Sequence, residues 1–477
     1  MPRRTKIVAT IGPTSDSPAV LRQLVEAGMD VARLGLAHGS LDESVARYHA
    51  VRAAAADVGR PVGILVDLPG PKVRLASFGE DAVTLATGSE VLLVPGQDRS
   101  VAGSLGVDYE QLLDDIHPGD ILAVGDGSVS LRVESVEPDR AVATVTYGGV
   151  VQGRPGLHVP SDRLGIHAPT PDDLHKLDAF VDLGVDMVAL SFVRSAADIR
   201  QLGVEPHPRG PLVVAKIETR AAVENLEGII EASGAIMIAR GDLGTELGIE
   251  ELPHLQKRIT RECIALGRPI ITATQMLESM VTAPQPTRAE VSDVANAVFD
   301  GSSAVMLSGE TAVGIDPVNA VRTMASIAER ADAEFDYEGW ARRIRHVRRE
   351  AVGSGEARIT DAMTAATWRA ATESRVSAII CISDSGFTVR AIARFRPEMP
   401  IIGFSPNERT VRQLTLSWGT TPVHTGSTVD NLRMMDELVA QARDQGYVRS
   451  GELVAALAGA GGHRTAATDV LRLLRVP

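Results

Sequence analysis

The sequence predicts an α/β protein built as a (β/α)8 barrel, with a small β-barrel lid domain inserted into it and an open α/β domain at the C-terminus. Three observations predict this fold. Short apolar strands alternate with amphipathic helical segments over most of the 477 residues, which is typical of a parallel sheet or barrel. A β-rich stretch with many Gly and Pro residues interrupts the alternation once. A basic junction interrupts it again, and the alternation then resumes.

The first prediction is the set of barrel strands. The candidates are Lys6–Thr10, Asp30–Leu34, Val62–Asp67, Met187–Phe192, Leu212–Ile217, Ala235–Ala239, Pro269–Thr274 and Ser303–Leu307. Residues 211–215 are apolar on both faces, as in a parallel strand covered by helices. Eight such strands are the number that closes a (β/α)8 barrel.

The lid is predicted between Asp67 and His167, where segments are short and no long helical pattern occurs. Its strand candidates are Val83–Leu85, Glu90–Val94, Ile121–Val124, Ser130–Val133 and Ala141–Tyr147. We therefore assign residues 1–68 and 167–338 to the barrel and residues 69–166 to the lid.

The C-terminal domain follows a basic run at residues 341–350 and the glycine-containing segment 353–355. In an acidic protein the run is better explained as a solvated linker helix than as an anion site, which is the alternative. Strands at Ala378–Ile382 and Pro400–Phe404 then alternate with helices. Residues 339–477 are assigned to this domain.

The amino-acid composition limits which kinds of partner the protein is expected to bind. A net charge of −13 and a pI near 5.4 argue against a nucleic-acid surface and favour small metabolites. No stretch is long enough to span a bilayer, so no membrane is expected. Cys263 and Cys381 lie in unrelated apolar contexts, which favours buried free thiols and a reducing cytoplasmic location.

Polar or charged residues stand at the carboxyl ends of most predicted barrel strands. They are Arg33, Asp67, Ser191, Lys216 with Glu218, and Thr274, and Asp242 lies in the loop after the sixth strand. In a barrel these ends converge on one mouth, where active sites of this fold are built.

Lys216 and Glu218 are two residues apart on an extended strand, so their side chains project to one face. A buried structural ion pair is an open alternative. Asp242 favours a ligand site, because Gly241 and Gly244 leave its loop open to close approach. Two carboxylates with little nitrogen or sulfur suit Mg²⁺ or Mn²⁺.

Eight segments, read together, resemble the pyruvate kinase family along essentially the whole chain. They are Lys6–Pro13, Tyr109–Leu112, Asp186–Arg194, Lys216–Glu218, Ala239–Gly244, Ala273–Met280, Pro286–Asn296 and Met306–Thr311. The resemblance implies a TIM barrel with an inserted β lid and a C-terminal regulatory α/β domain. It also implies a cytoplasmic homotetramer.

The resemblance implies transfer of the phosphoryl group of phosphoenolpyruvate to ADP, giving pyruvate and ATP in glycolysis. Glu218 and Asp242 would hold Mg²⁺. Lys216 would neutralise charge on the moving phosphoryl group and on the enolate, with Arg33 as a second clamp.

The remaining substrate contacts are implied in the same way. Backbone N–H groups of Gly241 and Asp242 would hold the substrate carboxylate. Thr274, which on its own is more typical of a helix cap, would lie near the carbon that is protonated, with water relaying the proton. Arg74 would reach phosphate, and His38 would contact the nucleotide or simply pack in its loop.

The resemblance fails at the family's K⁺ site. Members that need K⁺ read Arg-x-Asn-Phe-Ser-His-Gly and Asp-Thr-Lys-Gly-Pro-Glu-x-Arg, and the Asn, Ser, Asp and Thr supply ligands. This chain keeps Asp67 but has Gly35, Ala37 and Leu68 at the other three positions, and Lys72 in place of the Glu. The ammonium of Lys72 would replace the monovalent cation, so turnover is expected without K⁺; a hinge surface charge is the alternative.

The C-terminal domain carries a possible effector-phosphate loop. Its residues are Ser383, Ser385, Gly386 and Thr388, between a strand and a helix. A capped helix start explains the loop equally well, because Asp384 would repel phosphate. Residues 459–465 differ from the family's effector-side loop, so the sequence does not identify an effector.

Two alternative functions remain open at this stage. One is an Mg²⁺-dependent barrel lyase or aldolase that acts through a pyruvate enolate, although such enzymes do not need the lid or the C-terminal domain. The other is a weakly active regulatory homologue, which Gly35 and Ala37 favour and the intact Lys216 and Thr274 oppose.

Overall fold

The computed structural model describes residues 3–79, 82–125, 127, 129–161, 163–347, 355–426, 433–459 and 468–477. Its strands, in chain order, are β1 Lys6–Thr10, β2 Val31–Gly35, β3 Gly63–Leu68, β4 Val83–Leu85, β5 Glu90–Pro95, β6 Ser104–Val107, β7 Ile121–Val124, β8 Val129–Val136, β9 Ala141–Tyr147, β10 Gly149–Val151, β11 Leu157–His158, β12 Met187–Leu190, β13 Leu212–Ile217, β14 Ala235–Ala239, β15 Ile270–Ala273, β16 Ala304–Leu307, β17 Ala378–Ile382, β18 Ile401–Ser405, β19 Thr420–His424, β20 Leu453–Ala458 and β21 Val470–Arg475.

The α-helices, in chain order, are α1 Pro18–Ala27, α2 Leu41–Val58, α3 Leu112–Asp115, α4 Pro171–Asp182, α5 Ala196–Gln201, α6 Arg220–Glu224, α7 Leu226–Ala232, α8 Arg240–Leu247, α9 Leu252–Ala265, α10 Arg288–Asp300, α11 Gly309–Ala312, α12 Pro317–Ala333, α13 Tyr337–Val347, α14 Gly355–Glu373, α15 Phe387–Ala393, α16 Glu408–Gln413 and α17 Arg433–Asp444. Short 3-10 helices lie at Glu278–Val281 and Leu414–Leu416. None of the helices in the described ranges is long and apolar enough to cross a lipid bilayer.

The barrel predicted from the sequence is confirmed. Its eight parallel strands follow one another around the ring in the order β1, β2, β3, β12, β13, β14, β15 and β16, and β16 pairs with β1. Two strands end earlier than predicted, β12 at Leu190 and β15 at Ala273. The cause is a left-handed backbone at Phe192 and Thr274, with φ of 56° and 61°, which a β-strand does not accommodate.

Local sequence signals fix where the barrel helices begin and end. Ser40 and Thr170 each form a capping box with the third helical residue. Gly59 and Gly301 end their helices in the left-handed region, with φ of 71° and 111°. The apolar faces of these helices pack on the strands in one large core, and a second cluster fills the barrel interior. Leu416 from the C-terminal domain joins that interior cluster.

The lid, expected as a small β-barrel, is a curled six-stranded sheet in the order β11, β7, β8, β9, β5, β6, with a two-stranded sheet of β10 and β4. It has its own apolar core. Strands β6, β10 and β11 were not among the predicted ones. Each is at most four residues long, so alternation within it is too short to identify and pairing with neighbours defines it.

The C-terminal domain is an open α/β sheet in the order β19, β18, β17, β20, β21. The last strand pairs antiparallel with β20, and the others are parallel. The basic run predicted as a linker helix begins in α13, and residues 348–350 of the run lie outside the described residues. The domain boundaries at 68, 166 and 338 stay a prediction.

Candidate active site

Charged side chains from neighbouring barrel strands meet at the carboxyl end of the barrel. Arg33 on β2 donates from Nε to Asp67 Oδ2 of β3 at 2.7 Å. On the other side of Asp67, Lys216 Nζ of β13 lies 3.5 Å from Oδ1. The same ammonium lies 3.4 Å from Glu218 Oε2. The cluster predicted from the strand ends is therefore assembled.

Lys216 is held as a charged group. Its Nζ donates to Ser191 Oγ at 2.6 Å. Burial alone would lower the pKa of Lys216, but the charges of Asp67 and Glu218 raise it above its ordinary value. Burial likewise opposes ionisation of Asp67, yet Lys216 and Arg33 lower the pKa of that carboxyl. The mouth thus holds an ammonium that stays protonated at neutral pH.

Glu218 has one oxygen paired and one without a hydrogen-bond partner. Oε1 accepts the backbone N–H of Phe192 at 2.6 Å. Oε2 is buried and lacks a hydrogen bond within the described part of the chain. Burial raises the pKa of Glu218, and the charge of Asp242 adds to this while Lys216 opposes it. An additional cation at Oε2 would satisfy this oxygen and lower that pKa.

Asp242 lies in the first turn of α8, at the end of β14, and faces the same region. Its Oδ1 lies 3.4 Å from Lys72 Nζ, and both side chains are about one-third exposed. Within the described residues no group of three or more His, Cys, Asp or Glu side chains could hold a metal ion. Glu218 and Asp242 would supply two carboxylate ligands. Two protein ligands are compatible with Mg²⁺, because this ion usually keeps water and substrate oxygens as its other ligands.

Thr274 caps the start of α8 from the neighbouring strand. The Gly241 N–H donates to Thr274 Oγ1 at 3.0 Å, and that hydroxyl donates to Ala273 O at 2.8 Å. The cap that Thr274 alone would predict, on the helix after its own strand, is not formed, because the next helical turn starts after Leu277 without a side-chain cap; Thr274 accepts from the start of α8 instead. One of the two N–H groups expected to hold a carboxylate, that of Gly241, is engaged by this bond.

Arg240 fixes the contact between Thr274 and the start of α8, and the sequence analysis did not single it out. It is buried, donates to Thr274 O at 2.6 Å and pairs with Asp293 Oδ2 at 2.7 Å. It also donates to Gln275 O at 3.2 Å. Thr274 and Gln275 both have a positive φ, which costs free energy and needs such support. The only sequence signal was its place within Ala239–Gly244.

Comparison with known proteins supports one family. The model "Pyruvate kinase, barrel domain" matches residues 2–321, and "Pyruvate kinase, alpha/beta domain" matches residues 361–474. The pyruvate kinase of Clostridium acetobutylicum is 35% identical over 475 residues, covering 99% of each chain. Those of Bacillus licheniformis and Geobacillus stearothermophilus are each 38% identical, covering 96% and 99% of this chain and 78% and 80% of their own lengths.

The chain belongs to the pyruvate kinase family. It is accordingly a phosphotransferase. The resemblance drawn from the sequence is confirmed, and the barrel, lid and C-terminal domain take the places expected for that family.

In this pyruvate kinase family member the lid encloses a cavity next to the charged cluster. The cavity lies between the barrel and the lid and is lined by Lys72, Gly156, Phe192 and Asp242, among others. Glu246 on α8 connects the barrel to the lid. Its Oε2 lies 2.9 Å from His158 Nε2, and its carboxylate also accepts from Ser161. Sequence analysis missed Glu246, since only the fold brings lid and helix together.

The two candidate nucleotide residues lie near the same mouth. His38 is exposed, and its pKa is lowered by burial of part of the ring and by the positive charges of Arg74, Lys72 and Arg33. Arg74 bridges to Gly156 of the lid and donates to Arg154 O at 3.3 Å. The structure therefore brings both side chains into one positive field at the lid hinge.

The candidate effector loop lies elsewhere, in the C-terminal domain between β17 and α15. Gly386 has a φ of 75° and is the cap residue of α15. Thr388 is buried, and its Oγ1 lies 2.6 Å from Thr468 Oγ1. Ser385 Oγ accepts from the N–H of Phe387 at 3.4 Å. Residues 460–465 of the opposing loop lie outside the described residues.

Proposed function

We propose that the chain transfers the phosphoryl group of phosphoenolpyruvate to ADP, giving pyruvate and ATP, as a step of glycolysis. The observation that carries the proposal is the ammonium of Lys216, which lies 3.5 Å from Asp67 and 3.4 Å from Glu218 at the mouth of the barrel. Phosphoryl transfer depends chiefly on positioning and charge stabilisation, which a fixed cation supplies.

Lys216 and Arg33 would act on the same substrate from two strands. Both are anchored by Asp67, so their positions are set before substrate binds. A preorganised pair of cations stabilises negative charge as it develops on the phosphoryl oxygens and on the enolate, without reorganisation during the reaction.

Glu218 and Asp242 would hold Mg²⁺, with Mn²⁺ as a substitute. When bound, the ion supplies positive charge beside the oxygens of the substrate. The buried Oε2 of Glu218, which accepts no hydrogen bond from the described residues, supports this assignment. Removal of divalent cations with a chelator should abolish turnover, and added Mg²⁺ should restore it.

Thr274 would place the proton that converts the enolate to pyruvate. Its hydroxyl already donates to Ala273 O, at 2.8 Å. Since that hydrogen is engaged, and threonine is a weak acid, water must deliver the proton while Thr274 orients it.

The proposal is tested by measuring pyruvate formed from phosphoenolpyruvate plus ADP, with and without Mg²⁺. Pyruvate formation that needs both ADP and Mg²⁺ supports it. Absence of ADP-dependent pyruvate excludes it, and then binding of phosphoenolpyruvate without turnover would indicate a regulatory homologue. Pyruvate formed without ADP would indicate a lyase or aldolase, although the two matched family domains argue against that class.

We propose further that turnover needs no K⁺. Gly35, Ala37 and Leu68 offer no side-chain oxygen at three family ligand positions. The one remaining ligand, Asp67, is paired with Arg33 and Lys216. The ammonium of Lys72 lies 3.4 Å from Asp242 and supplies fixed positive charge at the mouth.

The rate in a tetramethylammonium buffer should therefore equal the rate with added K⁺. Lys72→Met should lose activity that K⁺ does not restore, because the ligand oxygens are missing. Lys257→Met, on an exposed lysine paired with Asp300, is the matched control. A K⁺-free enzyme that is inactive until K⁺ is added contradicts the proposal.

Assembly, location and regulation are proposed on the family pattern. A homotetramer is supported by exposed apolar side chains on the barrel, Ile249, Val313 and Ile315, which are 57–79% exposed in the single chain. A cytoplasmic location is supported by the buried free thiols of Cys263 and Cys381. A phosphorylated effector at Ser383, Ser385, Gly386 and Thr388 remains a proposal.

A further inference from the structure

A second set of polar groups lies at the opposite, amino end of the barrel, in a cavity between the barrel and the C-terminal domain. Barrel residues Arg268 and Ser303 line one side, and Arg390, Ser417 and Trp418 of the C-terminal domain line the other. The cavity volume of about 20 Å³ is sufficient for one small bound particle.

Three hydrogen-bond donors at this cavity have no partner. Arg390 Nη1, Ser417 Oγ and Trp418 Nε1 are all buried and make no hydrogen bond within the described residues. The three side chains are 3%, 1% and 2% exposed. A buried unpaired donor costs free energy, and unpaired donors are rare in native structures. Three such donors on residues that line one small cavity indicate that a hydrogen-bond acceptor binds there.

The cavity also carries the buried positive charge of Arg390, on which the described residues exert no resolved attraction from a carboxylate. Arg390 donates from Nη2 to His207 Nε2 at 2.9 Å and to Ser385 O at 2.8 Å, both neutral acceptors. Burial, together with the charge of Arg268, lowers the pKa of Arg390 to about 9, so it stays protonated at neutral pH. Among the described residues, Arg268 donates to the carbonyls of Ile230 and Glu231, each at 3.3 Å.

The other two arginines of the cavity have partners and are not candidates for ligand binding. Arg394 pairs with Asp361. Arg396 donates to Ser302 O at 2.6 Å, and its guanidinium lies 4.8 Å from the Trp418 ring centroid. That stacking fixes the indole, so its N–H direction is set by the fold.

We propose that this cavity binds one small monovalent anion of the chloride class, held by Arg390, Ser417 and Trp418 beside Arg268. A halide accepts several hydrogen bonds at once and offsets the buried charge, whereas water does not offset charge. The three donors belong to the C-terminal domain and Arg268 belongs to the barrel, so the anion would lie at the contact between the two domains.

Crystals of the full chain grown in sodium bromide test the site directly by anomalous scattering. The expected result is a bromide peak within hydrogen-bonding distance of Arg390 Nη1 and Trp418 Nε1. A map without such a peak, or with a water bound to these donors, overturns the proposal.

Thermal unfolding tests it in solution, with chloride replacing gluconate at constant ionic strength. Chloride should raise Tm in a saturable way. Trp418→Phe deletes one donor but keeps an aromatic ring, and should raise the apparent Kd about tenfold, as expected for loss of one hydrogen bond to a charged group. Ser417→Ala should act in the same direction.

Trp368→Phe is the matched control, because that indole stacks on Phe395 and does not line the cavity. It should leave the chloride dependence unchanged. Equal chloride dependence in the wild type, Trp418→Phe and Ser417→Ala would overturn the proposal, whatever the absolute Tm of each variant.

Discussion

Single residues at the barrel mouth show what a sequence does and does not determine. Alternation along one strand was sufficient to predict that Lys216 and Glu218 share a cavity, and their charged atoms lie 3.4 Å apart. The bond from the Phe192 N–H to Glu218 was not predictable. It depends on the left-handed backbone of Phe192, which no local residue preference indicates.

The residue-scale prediction concerns Lys216. Replacing it with Met should lower kcat at least about a hundredfold, because a preorganised charge opposite the transition state is lost. Asp67 keeps Arg33 as a partner, so the variant should still fold. The measurements are steady-state kinetics and circular dichroism.

Lys257→Met is the control for this substitution, since its ammonium pairs with Asp300 away from the mouth. It should keep normal kinetics. Near-normal turnover of Lys216→Met would show that the lysine is only a structural partner of Asp67 and Glu218. A loss of rate explained entirely by unfolding would show the same.

At the scale of elements, the start of α8 is partly predictable from the sequence. Gly241 and Asp242 after an apolar strand predicted an open loop at a helix start, and α8 begins at Arg240. Two hydrogen bonds fix the start of α8 to the end of β15: Arg240 donates to Thr274 O, and the Gly241 N–H donates to Thr274 Oγ1. Consecutive barrel strands were expected to be neighbours, but these particular bonds were not predictable, because they depend on the positive φ of Thr274 and Gln275 after β15.

The element-scale prediction compares two glycines of α8. A Cβ at Gly241 would meet only Thr274 Oγ1, at 3.8 Å, and a Cβ at Gly244 would meet Leu252 Cδ2 at 3.6 Å. Both Ala variants should therefore fold, each gaining up to about 1 kcal/mol of helix stability. Gly241→Ala alone should raise KM for phosphoenolpyruvate, about tenfold, because its methyl group occupies space where the substrate carboxylate approaches the helix start.

Steady-state kinetics and thermal unfolding of both variants provide the measurement. Gly244→Ala is the control, with the same change of helix propensity three residues farther along. Unchanged KM in Gly241→Ala would remove the helix start from the substrate site.

At the scale of the whole molecule, the number of strands predicted the barrel, and the loss of the βα rhythm predicted the lid. The docking of the C-terminal domain was not predictable. It rests on pairs far apart in sequence, such as Arg412 Nε with Asp186 Oδ1 at 2.7 Å and Arg390 Nη2 with His207 Nε2 at 2.9 Å. No periodic pattern along the chain relates such residues, and only the packed domains bring them together.

The last prediction uses the His207 contact between the domains. Burial, and the positive charges of Arg390 and Arg268, lower the pKa of His207 to about 3. The unfolded chain takes up this proton below about pH 6.5, whereas the folded protein does not until about pH 3. The unfolding free energy should therefore fall as pH drops from 6.5 towards 3.

His207→Gln keeps an acceptor for Arg390 but does not titrate, so its loss of stability between pH 7 and 4.5 should be smaller by about 2–3 kcal/mol. Urea unfolding at both pH values in halide-free buffer measures this difference, and exposed His254→Gln is the control. If the wild type and His207→Gln lose equal stability, His207 is not held neutral between the domains.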